Sequence, residues 1–261
     1  MHRRHGVAVA VVWLTMASAP LAQVRTRELE YKQGETVLKG FVAWDYAATG
    51  KRPGVLVVHE WYGHDEHARN QAKRLAKAGY VAFALDMYGN GKVATHSKDA
   101  EALMNEATKD PDVIAARFDA ALEQLRQDPH VDPGRIAAIG YCFGGYVVLD
   151  RARAGVHLGA VVSFHGPLVT KTPAEKGKIK ARVLVLTGGA DPLVPPAQVQ
   201  GFEQEMKAAS AQFEIVRYAG AKHSFTNPDA DKAGKEAIAY DARADRQSFA
   251  AMLNLFEKVF R

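Results

Sequence analysis

The sequence predicts an α/β domain: a mostly parallel central sheet with helices on both faces. Short apolar runs alternate along the chain with segments of helical character, the succession that builds βαβ units. Runs such as "VLVV", "YVAFAL", "GAVVSF" and "RVLVL" are apolar throughout rather than alternating, as suits strands covered by helices on both faces. In such sheets the chemistry sits beyond the carboxyl ends of the strands. The chemically interesting residues follow strand runs: His59 and Glu60, Asp86, Cys142, His165, Asp191 and His223.

The elements can be taken in order. "RELEYKQ" and "TVLKGFVAW" alternate and are separated by "GE", which reads as a hairpin. The run "GVLVVHE" precedes the helical "HARNQAKRLAKAG", and "YVAFALDMYG" follows as the next strand. "KDAEALMNEAT" and "PDVIAARFDAALEQLRQ" read as helices, "RIAAIGYC" as a strand and "GGYVVLDRARAG" as a helix. The runs "LGAVVSFHG" and "ARVLVLTGGAD", the helix "PAQVQGFEQEMKAAS", the run "FEIVRYAG" and a long terminal helix complete the pattern.

At 261 residues, 48% hydrophobic and 24% charged, the chain suits one large soluble domain. It has no internal repeat and, after the leader, no Pro-, Gly- or Ser-rich linker, so residues 23–261 read as a single domain. The net charge is +5, nearer +3 without Arg3 and Arg4, too small to argue for nucleic acid. "MHRRH", the apolar "GVAVAVVWLTMA" and the small-residue border "SAPLAQ" read together as a signal peptide over roughly residues 1–22. The apolar run is short for a membrane span, so the expectation is a periplasmic or secreted protein with no stable span after processing, monomeric or weakly dimeric. Cys142 is the only cysteine and can form no internal disulfide, which leaves a free thiol in an oxidising compartment.

The setting of that thiol suggests its use. "Gly140-Tyr141-Cys142-Phe143-Gly144-Gly145" fits a nucleophile elbow, with cysteine where serine is commoner. A sharp strand-to-helix turn needs small residues two before and two after the nucleophile, and Gly140 and Gly144 supply them. The Phe143 amide then opens a helix whose dipole favours a thiolate and a developing oxyanion. Asp191 follows 49 residues later in "LTGGADPLVP", and His223 a further 32 on in "GAKHSFTNP". Nucleophile, acid, histidine is the chain order of α/β-hydrolases, with His223 as base and Asp191 orienting it. On the residues alone, Cys142 could instead be packing filler, Asp191 a helix cap and His223 a loop histidine.

The chain resembles the dienelactone hydrolase family of α/β-hydrolases. The resemblance runs through "GETVLKGFVAWDYAATGKRPGVLVVHEWYG", "GYVAFALDMYG", "GYCFGGYV", "GGADPLVP" and "KHSFTNP", most of the chain after the leader. It implies the α/β-hydrolase fold, a carboxylic ester or lactone hydrolase activity, an acyl-thioester on Cys142, and no cofactor. It also implies a role for Glu60 in activating the cysteine, and an oxyanion hole made by the Trp61 and Phe143 amides; Glu60 could otherwise be a buried ion-pair member. Dienelactone-cleaving members hold the substrate carboxylate with two arginines, and near those places this sequence has Asn90 and Asn227. Lys92, Arg243, Arg246 or His165 are candidate replacements. Trp61, Tyr62, Tyr88, Tyr141 and Phe225 flank the catalytic positions, with His165, as pocket lining or as core. Two rival classes are a ligand-binding protein on a retired hydrolase fold, against which the intact Cys-Asp-His-Glu set argues, and a thiol redox protein, which would lack a resolving cysteine.

Overall fold

The computed structural model describes residues 22–261. The leader expected over residues 1–22 lies outside them, apart from Ala22. Eight strands form one sheet: β1 (Val24–Gln33), β2 (Thr36–Asp45), β3 (Arg52–Val58), β4 (Val81–Leu85), β5 (Val131–Tyr141), β6 (Ala160–Phe164), β7 (Arg182–Gly188) and β8 (Phe213–Tyr218). Six α-helices connect and cover them: α1 (Glu66–Lys77), α2 (Ser97–Thr108), α3 (Pro111–Gln127), α4 (Phe143–Arg153), α5 (Pro196–Ala208) and α6 (Ala242–Val259). The strand order is β1-β2-β4-β3-β5-β6-β7-β8. The β1–β2 hairpin joins the sheet antiparallel through β4, and every other pairing is parallel.

The apolar runs are explained by two cores. Val55 and Val57 of β3 pack on one face with Leu75 of α1 and Met252 and Phe256 of α6. Leu56 and Val58 pack on the other with Phe118 of α3, Val147 of α4 and Phe202 of α5. Successive side chains of a strand point to opposite faces, so a strand buried on both must be apolar at every position. α1 shows the complementary pattern: its buried His67, Ala68, Gln71, Ala72, Leu75 and Ala76 recur every three or four residues along one stripe. The Asp65 carboxylate caps its start by accepting the Ala68 N–H.

At the carboxyl edge, loop geometry comes from buried polar groups. Asp86, which directly follows β4, accepts the backbone N–H groups of Lys39, Tyr88, Gly89 and Gly91. The carboxylate therefore shapes the loop after β4 and ties it to β2. Asp86 belongs to the scaffold of the strand edge and not to its chemistry.

Close backbone approach shapes the turn after β5. A Cβ on Gly140 would lie 2.0 Å from the Gly144 carbonyl oxygen, and one on Gly144 would lie 2.3 Å from the Val58 carbonyl oxygen. Both contacts are with backbone, which cannot swing aside. Gly201 in α5 is the contrast, since nothing lies within 4 Å of a Cβ there. Gly140→Ala is expected to destabilise the fold by about 3 kcal/mol or to abolish soluble expression. Gly201→Ala is expected to stabilise it by about 0.5–1 kcal/mol through helix propensity. Paired thermal or urea denaturation measures both, and a tolerated Gly140→Ala would disprove the close-packed elbow.

Candidate active site

The turn after β5 positions the Cys142 thiol. Cys142 sits between the strand and α4 with φ 51° and ψ −114°, a conformation that costs a non-glycine residue about 1–3 kcal/mol. It is held there by its own N–H to the Phe164 carbonyl at 3.0 Å, by the Gly144 N–H to the His59 carbonyl at 3.1 Å, and by its carbonyl accepting the Gly145 N–H at 2.9 Å. The thiol is half-buried.

Two other strand ends supply its partners. Asp191 follows β7 and His223 follows β8, and a Cβ on Gly188 would sit 2.3 Å from the Ala221 carbonyl oxygen, so only glycine lets these two loops approach so closely. His223 is pinned on both sides: its N–H donates to Ala237 and its carbonyl accepts the Ala239 N–H. His223 Nε2 lies 3.0 Å from Cys142 Sγ, and Nδ1 lies 2.9 Å from Asp191 Oδ2. The second Asp191 oxygen accepts the Leu193 N–H at 2.8 Å. Both Asp191 and His223 are buried.

The electrostatics of the row are asymmetric. Burial works against a charged His223, but the negative charges of a Cys142 thiolate and the Asp191 carboxylate outweigh it, and the imidazole is held protonated well above its usual range. His165 is driven well below that range by burial and by the neighbouring charges of His223 and His67. The two rings stand edge to face with centroids 5.2 Å apart. The two shifts run in opposite directions, toward the cation at His223 and toward the neutral ring at His165.

Glu60, just past β3, is buried, and both its oxygens are engaged. Oε1 accepts the Ser224 hydroxyl at 2.8 Å and Oε2 accepts the Asn227 amide at 2.7 Å. In this arrangement Glu60 braces the loop that carries His223 and makes no hydrogen bond to Cys142. The same contact settles Asn227: its amide is committed to Glu60. Asn90 is exposed, with φ 57°, and lines a cavity of about 660 Å³ with Tyr88, Lys92 and Arg117. Arg243 and Arg246 are exposed at the start of α6.

The aromatic candidates separate into two groups. Tyr141 and Phe225 are core residues and do not line a pocket: Tyr141 stacks on Phe164 at 4.6 Å, and Phe225 packs on Tyr218. The strand alternation that aims Cys142 at the sheet edge sends its neighbour Tyr141 into the helix-covered face. His165 is also fully buried; its ring turns toward the Cys142 backbone and Thr226. Trp61 and Tyr62 are half-buried beside the elbow, and the Tyr88 hydroxyl donates to the Trp61 carbonyl at 2.8 Å. Among the described residues, neither the Trp61 nor the Phe143 N–H has a protein acceptor. Sequence reasoning missed Ser224 and Thr226, although both lie within "HSFTN", directly after the histidine it singled out.

Known proteins share this arrangement of elements. The model of the dienelactone hydrolase family matches residues 38–260. A Salmonella typhimurium protein called "Putative carboxymethylenebutenolidase" is 32% identical over 214 residues, 78% of each chain. A solved structure named "m3DLH" superposes with a TM-score of 0.86 at 39% identity, covering 90% of this chain and 98% of that one. A dienelactone hydrolase-like promiscuous phosphotriesterase from metagenomic libraries gives 0.87 at 36% identity, with the same coverage of both chains. The chain belongs to the dienelactone hydrolase family, a family of carboxylic ester and lactone hydrolases with the α/β-hydrolase fold.

Proposed function

We propose that the chain hydrolyses carboxylic esters or lactones by nucleophilic attack of Cys142, through an acyl-thioester. The observation that carries this is the row Cys142 Sγ, His223 Nε2, His223 Nδ1 and Asp191 Oδ2, with spacings of 3.0 and 2.9 Å across the mouth of an elbow. The thiolate adds to the acyl carbon, and the negative charge that develops on the carbonyl oxygen meets the Phe143 and Trp61 amides. Collapse of the tetrahedral intermediate expels an alkoxide, which takes the proton from His223. A water molecule then gives a proton to His223 as it attacks the thioester, which frees the acid and returns the thiolate. Asp191 holds the Nδ1 proton in place throughout. Glu60 reaches the sulfur only after giving up its bonds to Ser224 and Asn227.

The substrates favoured here are uncharged at the acyl end. Asparagine donates hydrogen bonds but brings no positive charge, and Asn227 already spends its amide on Glu60. A phosphotriester, the substrate class named for the metagenomic relative, would present a similar developing oxyanion to the same amides and belongs in the test panel. We further propose that residues 1–22 direct export and that the protein works in the periplasm or outside the cell.

Three outcomes follow. Incubation with a short p-nitrophenyl ester is expected to give a burst and an acyl adduct on Cys142 by mass spectrometry, and Cys142→Ala is expected to lower kcat by about 10⁴-fold or more. Hydrolysis with no adduct on Cys142 would rule out the mechanism. A neutral lactone is expected to show a kcat/KM at least about tenfold above that of its carboxylate-bearing analogue, the direction expected where the uncharged Asn90 and Asn227 stand at the clamp positions. A preference for the carboxylate would require a cationic side chain over the thiol. Expression in a bacterium is expected to give a periplasmic protein with about 22 N-terminal residues removed; an intact cytoplasmic chain would refute export.

A further inference from the structure

His165 is buried against the candidate catalytic row, and the mechanism above gives it no task. It follows β6, its own N–H is fixed to the Leu186 carbonyl at 2.8 Å, and its φ is 41°. The ring contacts both halves of the site. Nδ1 lies 3.2 Å from the Cys142 backbone nitrogen, and Nε2 lies 2.8 Å from Thr226 Oγ1. A backbone N–H can only donate, so this contact assigns the lone pair to Nδ1 and the ring proton to Nε2, which then donates to Thr226. The Cys142 N–H is thus shared between the Phe164 carbonyl at 3.0 Å and this imidazole. The nearest carboxylate, Glu60, stays 3.9 Å from Nε2.

We infer that His165 is a positioning residue that links the nucleophile elbow to the histidine loop and fixes the distance between Cys142 Sγ and His223 Nε2. Its lone pair holds Cys142 in a conformation that a non-glycine residue otherwise avoids. Its N–H holds Thr226, three residues beyond His223 on the same loop. A hydrogen bond at each end of one rigid ring makes the two loops a single unit. The link needs a neutral ring in one tautomer, and Thr226 selects that tautomer by accepting from Nε2. Burial and the charge on His223 keep the ring neutral. Because it concerns how the row is held, the inference rests on the proposed roles of Cys142 and His223.

Three measurements test it. In wild-type protein with ¹⁵N-labelled histidine, long-range ¹⁵N–¹H spectra should show His165 as the Nε2–H tautomer, and an Nδ1–H tautomer or a cation at neutral pH overturns the inference. Thr226→Val removes the acceptor at nearly constant shape. It should lower kcat, and the rate of Cys142 alkylation by iodoacetamide, by about 10–100-fold with KM within about twofold. Thr226→Ser, which keeps the hydroxyl, should restore both to within a few-fold. Wild-type kcat and alkylation in folded Thr226→Val overturn it, as does a failure of Thr226→Ser to recover what Thr226→Val loses. If Thr226→Val does not fold, His165→Asn, which tolerates the positive φ and keeps an acceptor near Cys142 but cannot reach Thr226, should show the same loss; wild-type alkylation there overturns the link. Alkylation needs no hydrolysis, so a missing acyl adduct in the wild type sinks the proposed mechanism, and an unchanged Thr226→Val sinks only the link.

Discussion

The site depends on one steric constraint: β5, α4 and the end of β3 meet with no side chain between them. With Gly140 against Gly144 and Gly144 against the Val58 carbonyl, the chain has no room for a gentle turn. The residue between strand and helix is forced to φ 51°. Such a conformation is disfavoured, and the protein holds it by hydrogen bonds from neighbouring strands, from the Cys142 N–H to Phe164 and from the Gly144 N–H to His59. The result is a thiol at the edge of the sheet and at the start of a helix, where free amides and the helix dipole favour negative charge.

The partners of the thiol arrive by the same device. Gly188 lets the loops after β7 and β8 touch backbone to backbone, which brings Asp191 to His223. The Ala237–Ala239 segment then clamps the histidine backbone from the far side. In both places glycine removes a side chain so that carbonyl and amide groups can meet, and the chemistry rides on the resulting rigidity. Preorganisation of this kind stabilises charge without reorganisation at the moment of reaction.

Much of this could be read from the sequence because the signals were local. The hairpin around "GE", the fully apolar runs of β3, β4, β6 and β7, and the glycines around Cys142 each reflect a requirement within a few residues, and the structure places them as expected. Asp191 and His223 were legible because each follows a strand run, and parallel strands end on one edge. Side-chain direction was not legible. Tyr141, Phe225 and His165 flank the candidate catalytic residues in sequence, yet strand alternation and the turn at Ser224, with φ 54°, send them into the core. Nor could Asp86 be told from a catalytic acid, because its four N–H donors come from a loop and a distant strand. Partnerships between loops, such as Glu60 with Ser224 and Asn227, exist only after folding.

That last group of contacts bears on how charge is distributed in the site. Within one buried cluster, beside the Glu60 carboxyl group, His223 is shifted toward its cation and His165 toward its neutral form. A second cation next to His223 would face its repulsion in a medium where charge is poorly screened, so the neutral imidazole is the form the cluster can accommodate. Neutrality also lets His165 accept at one nitrogen while donating at the other, which a protonated ring cannot do. Asn227 follows the same economy of charge. Where an arginine would tie Glu60 through an ion pair, an amide satisfies the same carboxylate oxygen without adding positive charge beside His223.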